Sequence, residues 1–389
     1  MAVRPEEADV TGWLLHLKGR GPAAGRFAAM SERPDDARRA GPDDGDRRSR
    51  LLGIKLRALV ADHVGRPIDS EPEGFPHGAA LRDGDAAWVL VEGPAARLLG
   101  AARAWSIRHD ASSLHLVVEQ DTGLLARRAQ RLAFPVTVWF PQDRLLLPVV
   151  AEPLVEAPPP LPEHLELVEV IEAAGATPNV EHGVVVGEVR GLEVCRVVDE
   201  PTVGHFAELG DIDIAPPPDA ITADIGTMDG VLLEVGVGAN DREAFRLLHG
   251  DIPTVEALAA VVDSVLAHRS PDAPQHPLNR LGQERYLRWR LEQDPALVGM
   301  AAVSPAEPPQ PRPNLKDPVP CVARAIGADG SESRVVCSVG VDVDLVGFVA
   351  DVQEMTGGPI IVALRDRDAV PITRELLALL AVPPDVRIV

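Results

Sequence analysis

The stretch SLHLVVEQDTGLLARRAQRLAFPVTVWF, residues 113–140, contains the alternation that decides the fold. Its first and last runs are short, apolar and rich in β-branched residues, which predicts strands, while TGLLARRAQRL between them has the apolar spacing of a helix. Upstream, WVLVEG (88–93) and PAARLLGAARAWSIRH (94–109) predict another strand and helix, and LLGIKLRALVADH (51–63) predicts a helix before them. This order predicts a βαβαβ module over 51–150 with a mainly parallel sheet.

The same order returns near the C-terminus. RVVCSVG (334–340) and a short helical stretch precede PIIVALRDRDAVPITRELLALLAVPPDVRIV (359–389), which repeats strand, charged turn, Leu/Arg helix, proline and closing strand about 246 residues after the first module. We infer a second α/β module over 319–389. An internal duplication is one explanation, and the other is that any two strand-helix-strand units look alike.

Composition marks the remaining boundaries. Gly, Pro, Asp and Arg without apolar periodicity predict that residues 1–50 are mostly disordered, and residues 64–84 have the Pro/Gly content of a loop. Two proline-rich linkers, 151–162 and 304–318, delimit a central domain over 163–300, and we interpret them as spacers rather than docking sites. The predicted fold class is α/β, with two similar βαβαβ modules flanking an acidic α+β central domain.

The chain carries 59 acidic and 38 basic residues in 389, a formal net charge of -21. Residues 151–300 hold 27 of the acidic and nine of the basic side chains, so the excess is local. A negative surface repels phosphates, which argues against general nucleic-acid or anionic-membrane binding. Only three lysines occur, and no GxxxxGK[ST] phosphate loop is present.

The N-terminal sequence lacks the apolar core of a signal peptide, and no segment has the apolar length of a membrane span. We therefore expect a cytoplasmic protein. Cys195, Cys321 and Cys337 are widely spaced in apolar runs, without CxxC spacing, which predicts buried free thiols.

No lysine or arginine occurs between Arg196 and Arg242, whereas ten acidic residues do. Carboxylates at this density repel one another unless they are solvated or share a cation, so one hypothesis is a Mg²⁺ or Mn²⁺ site. The candidate metal ligands are Glu234, Asp224, Asp229, Glu208 and His205, with Glu234 and Asp224 also the candidate catalytic residues. The alternative is a solvated acidic loop between strands. No other cofactor is indicated.

Residues 163–268 follow the order helix, strand, strand, acidic insert, strand bearing Glu234, helix. GVVVGEVRG and LEVCRVV before the insert predict a hairpin around Arg190-Gly191. The order resembles the core of restriction-endonuclease-like nucleases. That resemblance implies a metal held by an Asp and by a Glu-x-Lys tripeptide on the third strand. Here the tripeptide is Glu234-Val235-Gly236, and the domain contains no lysine.

The loop GVGAND (236–241) lies between a predicted strand and a predicted helix. Arg242 and Arg246 on the first turns of that helix are candidates for binding an anion, because helix N-termini attract negative charge. The alternative is purely structural: Asn240 with Glu243 matches a helix cap with an acid three residues later.

HPLNRLGQERYLRWRLEQD (276–294) predicts a basic, aromatic helix in this acidic domain. Its face can stack on single-stranded nucleic acid, clamp the acidic stretch of its own chain, or bury Trp289 while the arginines stay in water. Helix 278–291 is thus the one route by which we expect a nucleic acid to bind. In the C-terminal module, Asp342, Asp344 and Asp351 are interpreted as helix caps and surface charge.

The first functional hypothesis is a cytoplasmic, non-catalytic interaction or regulatory protein with a protein partner and no membrane contact, because no strong catalytic motif is found. The alternative is a divalent-metal-dependent hydrolase, a degenerate restriction-endonuclease-like nuclease in the central domain.

Overall fold

The computed structural model describes residues 42–199, 227–228, 230–238, 241–242, 254–270, 276–312, 315 and 318–389. Residues 49–389 form one compact unit that contains three sheets. The predicted α/β class is confirmed. No helix in this described part of the chain is long and apolar enough to cross a membrane.

Residues 42–148 form the first sheet and its helices. The elements are α1 (Pro42–Val64), β1 (Glu73–Phe75), β2 (Gly78–Asp83), β3 (Ala86–Val91), α2 (Leu99–Arg108), β4 (Ser113–Val118), α3 (Thr122–Ala129), β5 (Val136–Gln142) and β6 (Leu145–Pro148). The strand order is β1-β2-β3-β4-β5-β6, with β3, β4 and β5 parallel and the outer pairs antiparallel. Helices α2 and α3 provide the crossovers that parallel neighbours require.

Three details of this module differ from the sequence-based prediction. Helix α1 begins at Pro42, so residues 42–50 of the segment predicted as mostly disordered are helical, while residues 1–41 lie outside the described residues. Residues 64–84, predicted as a loop, contain β1 and β2, which pair around a turn at His77 and continue the sheet beside β3. Helix α2 begins at Leu99 rather than at Pro94, and the amides of Ala95 and Ala96 before it donate to the Asp121 carboxylate at 2.7 and 2.8 Å.

The C-terminal sheet repeats this arrangement. Its elements are β12 (Ala302–Ala306), β13 (Cys321–Ile326), β14 (Glu332–Cys337), α8 (Leu345–Thr356), β15 (Ile360–Leu364), α9 (Pro371–Leu377) and β16 (Asp385–Ile388). Strands β14, β15 and β16 are parallel and β13 is antiparallel to β14, as β2 is to β3. Strand β12 lies partly in the predicted linker 304–318, and Pro305 is tolerated because β12 is an edge strand. The common order fits a duplication, which itself stays a prediction.

The two flanking modules pack against each other through their helices. One apolar core joins α2 and α3 of the first module to α8 and α9 of the second, and it includes side chains from both sheets. Beyond the helices, Leu132 and Leu380 form an antiparallel bridge, with Ala133 donating to the Leu379 carbonyl at 2.7 Å and Ala381 to the Arg131 carbonyl at 2.8 Å. Leu132 follows α3 by three residues and Leu380 follows α9 by three residues, so equivalent positions of the two modules meet.

The central sheet lies between these modules in sequence. Its elements are α4 (Pro162–Leu165), α5 (Val168–Ala173), β7 (Thr177–Glu181), β8 (Val184–Val189), β9 (Leu192–Asp199), β10 (Thr227–Met228), β11 (Val231–Val235) and α6 (Thr254–His268). The order is β10-β11-β9-β8-β7, with every described pair antiparallel. The predicted hairpin at Arg190-Gly191 is present. Strand β7 was not predicted, so β7, β8, β9 and the two-residue β10 precede the strand that carries Glu234, where the sequence had predicted two strands.

Helix α7 (Gln283–Gln293) lies between the central and C-terminal sheets. Leu287 and Leu291 pack on the face of the C-terminal sheet that α8 and α9 leave uncovered, just as α1 covers the outer face of the first sheet. The turn of the central hairpin touches α7: a Cβ on Gly191, whose φ is 72°, would lie 2.3 Å from the Arg285 carbonyl oxygen. A residue without a side chain is required at this contact.

Asp351 is not the surface charge that its sequence context predicted. It lies on α8 with 1% of its side chain exposed and binds two arginines of α3, Arg127 at 3.3 Å and Arg128 at 2.6 Å. The Gln310 amide also donates to it, at 3.2 Å. The carboxylate is buried because α3 and α8 face each other across the interface between the modules.

Replacing Asp351 by alanine leaves two buried guanidinium groups without their shared carboxylate, and we expect it to lower the free energy of unfolding by about 3–5 kcal/mol. Glu354→Ala is the matched control, since Glu354 is also on α8 and pairs with Arg131, two residues after α3, but with both side chains partly exposed to solvent. It should change stability by less than about 1 kcal/mol. Urea unfolding at neutral pH measures both, and equal losses would contradict this assignment.

Asp344 gives the interface a pH dependence. Its carboxylate accepts the Gly100 amide at 3.2 Å, and burial, with the nearby Asp342, raises its pKa to about 6 in spite of Gly100, Arg97 and Arg128. In the unfolded chain the aspartate pKa is about 3.9. The folded state therefore binds the proton more tightly, so this group lowers stability as the pH rises from about 4 to about 6.

We expect Asp344→Asn, which keeps an acceptor for Gly100, to be more stable than the natural chain by about 2–3 kcal/mol at pH 7.5 and by little near pH 4. Urea unfolding of both proteins at the two pH values gives the difference. A difference that does not change with pH would show that Asp344 is not the titrating group.

Candidate functional site

The face of the central sheet opposite α5 and α6 carries charged side chains that meet arginines of α7. We call this group the ionic cluster. It consists of Glu181, Glu188, Glu193, Glu234, Glu292, Arg196, Arg242, Arg285 and Arg288.

Glu188 and Arg288 are at the centre of the ionic cluster. They are directly ion-paired, with 5% and 1% of their side chains exposed, and Arg288 also donates to Glu292 at 2.9 Å. Arg285 pairs with Glu181 and lies 3.4 Å from Glu188. Burial alone raises the pKa of Glu188, but the charges of Arg288 and Arg285 hold it below its usual value. This carboxyl group therefore stays ionised and is not available as a general acid.

Local structure explains why these charges meet. Glu188 and Glu193 are opposite each other across β8 and β9, so both project from one face of the sheet. On α7, Arg285 and Arg288 are three residues apart and share a side of the helix. Leu287 and Leu291 occupy the side that packs on the C-terminal sheet. The helix is therefore amphipathic, with an ionic side where a solvated side is usual.

Two of the predicted site residues are brought together. Arg242 donates to Glu193 at 2.9 Å and to Glu234 at 3.3 Å, and 28% of the Glu234 side chain is exposed. The turn that returns Arg242 to the sheet depends on Gly236, whose φ is 139° and on which a Cβ would lie 2.9 Å from the Arg242 nitrogen. Arg242, predicted to bind an anion, is thus paired with carboxylates of its own domain.

The other predicted site residues, Asp224, Asp229, Glu208, His205 and Arg246, lie outside the described residues, as do Asn240 and Glu243 of the proposed cap. Among the residues that are described, no three His, Cys, Asp or Glu side chains are grouped as a metal site requires. The metal hypothesis, with Mg²⁺ or Mn²⁺, stays a prediction.

Most basic and aromatic side chains of the predicted helix 278–291 contact other residues of the same chain. Arg285 and Arg288 are buried in the ionic cluster, and Tyr286 and Trp289 stack with ring centroids 5.5 Å apart. The predicted helix is also interrupted, because Pro277–Arg280 form a separate 3₁₀ turn and α7 begins at Gln283. Arg280 is exposed and Arg290 half-buried, so nucleic-acid contact through the predicted helix 278–291 stays a prediction that rests on these two side chains.

A buried arginine that the sequence did not single out stabilises this region. Arg269, 1% exposed, donates to the carbonyl oxygens of Arg190, Leu278, Leu281 and Gly282 at 2.8–3.0 Å. Burial lowers its pKa to about 10. Every residue has a backbone carbonyl, so the sequence does not show which carbonyls bind an arginine. A search for an acidic partner could therefore not have identified Arg269.

A second candidate site is an open groove of about 570 Å³ between the two proline-rich linkers, which we call the proline groove. It is lined by 153–160 of the first linker, Val180, His182, 307–309 of the second, Glu354 and Met355. The linkers are fixed in place here: His182 donates its backbone amide to Glu307 at 2.8 Å and its ring Nε2 to the Pro308 carbonyl at 3.0 Å. Pro308 and Pro309 are buried. The second linker is therefore packed against the domains over these residues.

Comparisons with protein families, with curated proteins and with solved structures found no match to this chain.

Removing the Glu188 carboxylate should destabilise the protein strongly, because the buried Arg288 would lose its closest counter-charge and Arg285 would lose one of its carboxylate neighbours. We expect Glu188→Ala to lower the free energy of unfolding by about 3–5 kcal/mol. Glu234→Ala, in the same cluster but partly exposed, should lower it by less than about 1 kcal/mol. Denaturant unfolding of the two variants tests this, and a larger effect at Glu234 would contradict it.

Proposed function

We propose that this protein is a non-catalytic interaction protein that binds an extended, basic segment of a partner protein in the proline groove. The observation that carries the proposal is the composition of this groove, which combines apolar walls with acidic side chains in an open, preformed surface.

The apolar part supports binding of a peptide. The Val155 side chain is 83% exposed and Met355 39%, although both border a concave surface. Exposed apolar side chains in a groove are a common mark of protein contact sites. Prolines cannot donate backbone hydrogen bonds and hold their segment extended, so the walls lose little conformational entropy when a partner binds.

The charged part selects the partner. Glu156, Glu307 and Glu354 border the groove, and His182 is the one basic residue among its lining residues. Burial raises the pKa of Glu307, and the His182 amide and ring oppose this shift. An approaching Lys or Arg side chain would complement the carboxylates, whereas an acidic segment would be repelled.

The ionic cluster supports the non-catalytic half of the proposal. Each of its carboxylates is paired with a guanidinium group, and the central ones are buried. The alternative of a metal-dependent hydrolase stays a prediction, because Glu234 is the one candidate ligand within the described residues and it pairs with Arg242.

A displayed peptide library tests the proposal with the full chain as bait. We expect selected peptides to combine Lys or Arg with apolar residues, and synthetic copies to bind in fluorescence anisotropy. Val155→Ser should weaken this binding about tenfold, the loss expected for one buried valine.

The matched control is Val150→Ser, since Val150 is 85% exposed near the start of the same proline-rich segment but outside the groove. It should leave the affinity unchanged. A library that enriches no basic peptides, or peptides that bind both variants equally well, would reject this function.

A further inference from the structure

Two of the three cysteines lie directly opposite each other on neighbouring strands. Cys321 begins β13, Cys337 ends β14, and the antiparallel register pairs them. Both side chains lie in the apolar core on the face of the C-terminal sheet that α7 covers. Directly opposed residues in antiparallel strands have Cα atoms about 4.5 or 5.5 Å apart, and disulfides span about 4.4–6.8 Å. A disulfide can therefore form here without separating the strands.

Two arginines lie near Cys321. Both Arg288 of the ionic cluster and Arg312 of the second linker are close enough to interact electrostatically with its thiol. The two terminal nitrogens of Arg312 are buried, with no hydrogen-bond partner in the part of the chain that is described. The thiolate is the nucleophilic form of cysteine.

The two thiols are not equivalent. Cys337 is fully buried, and its contact with Cys321, together with burial, raises its pKa well above the usual value. Glu292 acts in the same direction, and Arg288 opposes it. Cys321 is 4% exposed and is the thiol beside the two arginines.

We propose that Cys321 and Cys337 form a peroxide-reactive dithiol, in which Cys321 is the attacking thiol and Cys337 the resolving thiol. The Cys321 thiolate attacks one oxygen of the peroxide, the O–O bond breaks, and a sulfenic acid and water form. The Cys337 sulfur then attacks the Cys321 sulfur, releasing a second water and forming the disulfide. Two thiols lose two electrons in all, and one hydrogen peroxide is reduced to two waters.

Cys195 provides an internal control. It is fully buried on β9 of the central sheet, and burial raises its pKa to about 12. Its register partners on β8 and β11 are Gly187 and Val235, so no cysteine faces it across either strand. A buried thiol of high pKa with no resolving partner should react slowly.

The test treats the natively folded full chain with hydrogen peroxide, alkylates the remaining thiols during unfolding, and identifies the products by mass spectrometry. We expect a Cys321–Cys337 disulfide to form at least about tenfold faster than Cys195 is oxidised. Oxidation of Cys195 at the same rate, or a dithiol that survives peroxide under which the unfolded chain is oxidised, would overturn the proposal.

Single variants separate the two roles. In Cys337→Ser the resolving thiol is missing, so dimedone should trap a sulfenic acid at Cys321. In Cys321→Ser the remaining Cys337 should give about tenfold less adduct, because its thiol is fully buried. Equal adducts in both variants would overturn the assigned roles. The wild-type time course stands without the variants if either of them fails to fold.

Discussion

The pairing of Arg285 and Arg288 with the glutamates of the central sheet fixes the position of α7, on which two sheets depend. One side of this helix completes the core of the C-terminal sheet, and the other side is the ionic cluster. A buried ion pair adds little net stability over a well-packed apolar contact, yet it is expensive to break. We infer that its main effect is to specify one arrangement, because a guanidinium group displaced from these carboxylates would find no comparable partner in an apolar environment.

The interface between the flanking modules depends mainly on apolar contacts and less on ion pairs. It is a broad apolar core from four helices and two sheets, in which Asp351 with Arg127 and Arg128 forms a small polar centre. Apolar contacts are non-directional, so the orientation of the helices must come from specific contacts such as this one and the Leu132–Leu380 bridge. Both interfaces therefore combine buried apolar surface with a few ion pairs or hydrogen bonds that fix the orientation, and they differ in the share of each.

The sequence predicted the parallel parts of the fold well, for a physical reason. Strands buried on both faces, such as β3 and β15, are continuous apolar runs that composition alone reveals. The short antiparallel strands β1, β2 and β7 were missed because they are brief and include Gly74, Gly78 and Pro178, which are residues typical of loops. The site was less predictable. Glu188 and Arg288 are 100 residues apart, and Cys321 and Cys337 meet only through strand register, so tertiary structure decides their chemistry. Arg242 could be predicted as important, but its partner Glu193 could not.

The position of the central domain in the chain has a consequence for biosynthesis. The first module ends near Pro148, whereas the strands and helices that cover its α2 and α3 begin at Cys321. A growing chain therefore presents an uncovered apolar face, including Leu99, Trp105 and Leu125, while well over a hundred further residues are translated. Partly folded chains with exposed apolar surface are prone to aggregation, and domains generally fold in the order of their synthesis. Because the central domain is translated between the two modules, the apolar face of the first module stays uncovered during that time, and the module must remain soluble by itself or bind a chaperone.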